Sequence, residues 1–139
     1  MKKIFNLKTL FVINAAFALI GGLGEALVPQ QFVGSFVSSL DASGASIAQN
    51  LGVFQTGTAI ISFMARNVQD KAALKAILAG FVVIHAGITL VALNGMATGV
   101  MSSEGIADLV IHGLLAVGFG YFLVRRSRWV VPRGTVEEG

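Results

Sequence analysis

Two histidines, His85 and His112, stand inside long apolar runs whose other residues need only lipid or packing to explain them. An imidazole there can share a proton, ligate a metal or fasten one helix to another. Asp108 precedes His112 by four residues, a spacing that puts carboxylate and imidazole on one helix face. Gln55 and Glu25 lie in two further apolar runs and complete the set.

Three kinds of chemistry are open to these side chains. The first is a packing network, with His85 bonded to Gln55 or Thr89 and His112 to Asp108 or Gln55; polar pairs of this kind hold membrane helices together without any reaction. The second is a cofactor site in which His85, His112 and Gln55 hold a b-type haem, another tetrapyrrole or a quinone, with Asp108 orienting His112. Against a haem, the outer half of the chain offers no Lys or Arg to pair with propionates. The third is a proton or metal site built from His85, His112, Asp108 and Glu25. Motifs of soluble enzymes are absent: there is no HExxH and no phosphate-binding glycine loop, since Gly118-Phe119-Gly120 lies within an apolar run. A catalytic role is therefore not expected.

The elements that carry these residues are apolar and of membrane length. Ala76–Leu93 and Ile106–Val124 are 18 and 19 residues long, enough at 1.5 Å per residue to cross about 30 Å of hydrocarbon. Two earlier runs complete the pattern, giving expected spans at 9–28, 47–65, 74–94 and 106–124 in a single transmembrane domain. The second is the least apolar, with Gln55, Thr58, Ala59 and Ser62 on one small and polar face. In the first, Asn14, Ala18, Gly21 and Glu25 share a face that should point into the protein. The start resembles a signal peptide, but the apolar run continues well past Ala16-Phe17-Ala18, so an uncleaved span is expected. A short amphipathic segment at 30–40 should lie in the outer interface, Asp41-Ala42-Ser43-Gly44 should turn the chain, and 125–139 should form a tail. Ser102 or Ser103 can cap the last helix.

Composition agrees. The chain of 139 residues is 55% hydrophobic and 12% charged, about half the charge of a soluble domain. With no cysteine it has no disulfide and no thiolate metal site. The net charge of +3 does not imply nucleic acid as a partner, because the basic residues are segregated. Lys2, Lys3 and Lys8 precede the first span, Arg66, Lys71 and Lys75 lie between the second and third, and Arg125, Arg126, Arg128 and Arg133 follow the fourth. Under the positive-inside rule both termini are then cytoplasmic, which describes an all-α, antiparallel four-helix bundle, N-in and C-in, in a bacterial inner membrane. Counting down from the outer ends puts His85 at a depth of about 13 Å, Gln55 at about 12 Å and His112 at about 10 Å, with Glu25 and Asp108 at about 4 Å. The spread of about 9 Å between Glu25 and His85 exceeds a single metal coordination shell.

Asn6-Leu7-Lys8-Thr9-Leu10 with Asn14-Ala15, Gly21-Gly22-Leu23-Gly24 before Pro29, Leu40-Asp41-Ala42-Ser43-Gly44 and Ala65-Arg66-Asn67 resemble a family of small, uncharacterised bacterial four-span membrane proteins. The resemblance implies the topology and carries over no functional residue. Together with the many small residues on helix faces, this leads to the expectation of a non-catalytic structural or accessory subunit in the lipid bilayer, associating with other membrane subunits or with itself. The alternative is a cofactor-binding or proton- or metal-handling protein using His85 and His112.

Overall fold

Three of the four long helices begin at a side chain suited to start them. Asn6, Asp41 and Asp70 hold extended backbone and accept from the amides of Thr9, Gly44 and Ala73 at 3.0, 2.7 and 2.7 Å, satisfying donors that a helix start leaves bare. These caps open α1 (Leu7–Leu27), α3 (Ala42–Ala65) and α4 (Lys71–Ala97). A single turn, α2 (Pro29–Phe32), follows α1, and α5 (Ile106–Ser127) closes the fold. The structure, a computed structural model, describes residues 6–127, with the last two by backbone alone. Helix α5 runs through Ser127, into the expected tail at 125–139; Lys2, Lys3 and residues 128–139, with Arg128, Trp129, Pro132 and Arg133, lie outside the described residues.

The chain is helical, and α1, α4 and 103–125 are long and apolar enough to cross a membrane. Helix α3 is long enough but is not among these candidate spans; Gln49, Asn50, Gln55 and several hydroxyl residues lower its hydropathy. Its outer face is nonetheless apolar, with Val53, Phe54, Ile60 and Met64 exposed, as Val83, Val91, Leu114 and Val117 are on α4 and α5. An apolar exterior of this extent is stable against lipid and not against water.

The helices pair as neighbours in sequence. Helix α1 runs antiparallel to α3, touching at Asn14 with Ser62, at Gly22 with Gly52, and at Ala26 with Gln49. Helix α4 runs antiparallel to α5, with Val82 beside Gly120 and His85 beside His112. The two pairs share a core at the end where Lys8, Arg66 and Lys71 lie: Leu7, Leu10, Phe11, Ala65, Leu74, Leu78, Phe81, Leu115 and Phe119. Phe11, Phe81 and Phe119 form its aromatic centre, with ring centroids 4.9–6.0 Å apart.

At the opposite end the loops are joined to each other. Val37 bridges Met101, the Ser38 amide donates to Val100 at 3.0 Å, and the Ser102 amide donates to Phe36 at 2.8 Å. The expected segment at 30–40 is helical over only part of its length. Only Pro29–Phe32 and the 3-10 turn Val33–Ser35 are helical, because the backbone beyond them bonds to the other loop instead of to itself. Two other boundaries shift. Ala42–Gly44 form the first turn of α3 and not a loop, since Asp41 caps them, and Lys71 and Lys75 belong to α4. Ser102 stands at a helix start, but its hydroxyl donates to the Ser35 carbonyl at 3.3 Å. Gly99 ends α4 with a φ of +72°, a left-handed conformation that glycine adopts without steric cost.

Candidate functional site

His85 lies in the middle of α4, where Phe81 precedes it by one turn and Thr89 follows by one; the Thr89 hydroxyl donates to the His85 carbonyl at 2.8 Å. Its ring is 4% exposed and lies parallel to Phe119 of α5, with centroids 5.6 Å apart and planes 3° from parallel. Phe119 follows His112 by seven residues, two helical turns, so α5 presents both rings to α4. The aromatic core thus forms a floor under His85, and His112 stands beside it.

The two imidazoles meet directly: Nδ1 of His85 is 2.9 Å from Nδ1 of His112. On its other side, His112 Nε2 lies 3.3 Å from Asp108 Oδ1. Exposure falls along this row, from 40% at the Asp108 side chain to 13% at His112 and 4% at His85. The row fixes where protons sit. An ionised Asp108 carboxylate only accepts, so His112 holds its proton on Nε2. His112 Nδ1 is then bare and must accept, so His85 donates from Nδ1. His85 Nε2 is left with a lone pair, and it is buried with no hydrogen-bond partner.

Glu25 of α1 completes the neighbourhood. It is half-buried, within electrostatic range of both Asp108 and His112, and its Oε2 is buried and unpartnered. The α1 face read from the sequence does turn inward: Asn14 and Ala18 are buried and Gly21 lies under the Gln55 amide. Gln55 therefore packs over α1, while the imidazoles bond to each other and pair with Asp108. Sequence spacing put His85 and His112 at one level but did not reveal their direct bond. Phe119 was not singled out either, although its seven-residue spacing from His112 was the available signal. A second buried polar cluster lies toward the core, where Ser62 accepts from Asn14 Nδ2 at 3.0 Å and donates to the Phe11 carbonyl at 2.9 Å.

For a metal, Glu25, Asp108 and His112 share a region, but among the described residues no group of three or more His, Asp or Glu side chains is arranged to hold an ion. For a haem held by both histidines, the iron would have to stand between their ligating nitrogens. Here the facing nitrogens are at hydrogen-bond distance, and the rings would have to part. The arrangement as it stands suits proton sharing. No protein-family model, curated protein or solved structure matches the chain.

Proposed function

We propose that this chain is a four-span protein of the bacterial inner membrane, with both termini cytoplasmic, and that it serves as a non-catalytic structural or accessory subunit. The fourth crossing is supported by the pairing of α3 with α1. Contacts run from Asn14–Ser62 to Ala26–Gln49 along most of both helices, so a membrane crossed by α1 is crossed by α3 as well. The orientation is supported by Lys8, Arg66, Lys71 and Lys75, which share one end of the helices, while the joined loops at the other end carry no basic residue.

The subunit reading rests on one observation, the outward face of α4. Ala72, Ala76, Gly80 and Gly87 are exposed along it, and a side chain added at Gly80 or Gly87 would meet nothing within 4 Å. Small residues at an open surface cover little lipid but let another helix approach closely. A second copy of the chain or a larger membrane protein fits that face.

Gly80→Leu and Gly87→Leu test it, because neither fills occupied space within the chain. Each is expected to abolish copurification or cross-linking of the associated protein from native membranes while the purified chain unfolds as wild type. A solitary monomer in native membranes refutes the reading. Topology is tested in the cysteine-free chain by Ser43→Cys and Ser102→Cys. Both are expected to react with an impermeant thiol reagent from outside, and labelling from the cytoplasm alone reverses the orientation.

A further inference from the structure

We propose that Asp108, His112 and His85 form a proton relay between water at the outer membrane face and a buried base, His85 Nε2, that serves an O–H acid inside the protein. The proposed orientation decides only which side of the membrane Asp108 meets; the row of contacts does not depend on it, nor on the subunit reading.

Three observations carry the proposal. The facing Nδ1 atoms are 2.9 Å apart, close enough for a proton to pass along the bond. His112 Nε2 and Asp108 Oδ1, at 3.3 Å, extend the row to a side chain that is 40% exposed. At the far end His85 is 4% exposed, yet its Nε2 has no partner. Buried polar atoms are ordinarily bonded, and a bare imidazole nitrogen among apolar side chains is satisfied only by a hydrogen-bond donor. The donor that suits it is neutral, an O–H group of water or of a bound hydroxyl compound, since a buried cation would need its own counter-charge.

The transfer balances. The O–H acid gives its proton to His85 Nε2 and becomes its conjugate base. His85 passes its Nδ1 proton to His112 Nδ1, His112 passes its Nε2 proton to Asp108, and Asp108 releases it to outer water as hydronium. The reverse order returns a proton from outer hydronium to the conjugate base. Each ring gains one proton and loses one, so neither imidazole need carry two for longer than the transfer. The titratable groups facing the pair are Asp108 on α5 and Glu25 on α1, and the sequence of α3 contains no titratable side chain.

Nitrogen NMR of the full chain, labelled with 15N-histidine in lipid nanodiscs, tests this in wild type and in Asp108→Asn and Asp108→Glu. At neutral pH wild type is expected to hold its imidazole protons on His112 Nε2 and His85 Nδ1, with a coupling across the Nδ1–Nδ1 bond. Asp108→Asn is expected to slow exchange of the shared proton with D2O at least tenfold, and Asp108→Glu to restore it. Because the tautomers are read on wild type, a poorly folding variant does not shield the proposal. Wild-type tautomers opposite to these, no coupling between the rings, or an exchange rate unchanged in Asp108→Asn each overturns it.

Discussion

Gly52→Ala is expected to force α1 and α3 apart. A methyl built at Gly52 lies 2.5 Å from the Ala26 amide nitrogen, 2.6 Å from the Gly22 carbonyl oxygen and 2.9 Å from Glu25 Cβ. Two of these three atoms are backbone, so no rotamer change relieves them. Ordinary contact begins at 3.4 Å, and the helices must part by about 0.9 Å. A gap of that size forfeits a quarter to a half of each dispersion contact along the seam, and overpacking of this kind costs about 1–3 kcal/mol. With about 2 kcal/mol as the central value, the folding equilibrium falls roughly thirtyfold. Gly22→Ala meets Thr56 Oγ1 and N and the Gly52 carbonyl at 2.6–2.8 Å and should cost a similar amount. The double variant should cost less than the sum, since one separation accommodates both methyls. Equilibrium unfolding in mixed micelles measures all three, with Gly57→Ala as the control because a methyl there meets nothing within 4 Å. If Gly52→Ala is no less stable than Gly57→Ala, the backbone-to-backbone crossing is wrong and the α1–α3 pairing with it.

Other outcomes follow from the buried clusters. Ser62→Ala leaves the buried Asn14 Nδ2 without a partner, while the Phe11 carbonyl keeps its helical bond within α1, and should cost about 1–3 kcal/mol; Asn14→Leu together with Ser62→Ala should recover part of it, as the same unfolding titration would show. Phe119→Ala opens a cavity among Phe11, Phe81 and His85 and should cost about 3–5 kcal/mol, with altered 15N shifts of His85 as the second readout. His112→Phe keeps the ring and removes both of its nitrogens, so His85 Nδ1 loses its acceptor. The expected result is a His85 ring free to change tautomer, and an unchanged His85 spectrum would mean that the 2.9 Å contact does not form.

The helical runs and their small, inward faces are legible in the sequence because lipid imposes length and apolarity on every helix that meets it. Spacing likewise gives Asp108 and His112 a common face and sets His85 near His112 in height, as one rise per residue requires. Partner choice is a different matter. Periodicity says that Gln55 faces inward but not that Gly21 leaves room for its amide, which depends on how closely α1 and α3 approach. The bonding of Phe36–Ser38 to Val100–Ser102 is non-local, and no local propensity encodes it. Beyond Ser35 the amphipathic segment leaves the helix for that reason, since paired loop backbones replace the bonds that a surface helix would have made.

The two buried polar clusters differ in a way that separates structure from chemistry. At Asn14 and Ser62 the hydroxyl proton has one place: Ser62 is committed to the Phe11 carbonyl, so it can only accept from the Asn14 amide, whose Oδ1 is buried without a partner. Neither group titrates at any pH that the fold survives, and a fixed network of this kind does nothing except hold α1 to α3. At His85 and His112 the same number of contacts leaves a choice. While Asp108 is ionised the proton between the Nδ1 atoms rests on His85, and it passes to His112 when His85 Nε2 gains a proton and His112 Nε2 gives one to Asp108. Fastening two helices would be served as well by an amide and a hydroxyl, as α1 and α3 demonstrate. An imidazole pair adds a proton that can move, with an exposed carboxylate at one end and an unsatisfied nitrogen at the other. That difference in proton freedom, and not the presence of polar residues as such, is what the relay proposed between α4 and α5 rests on.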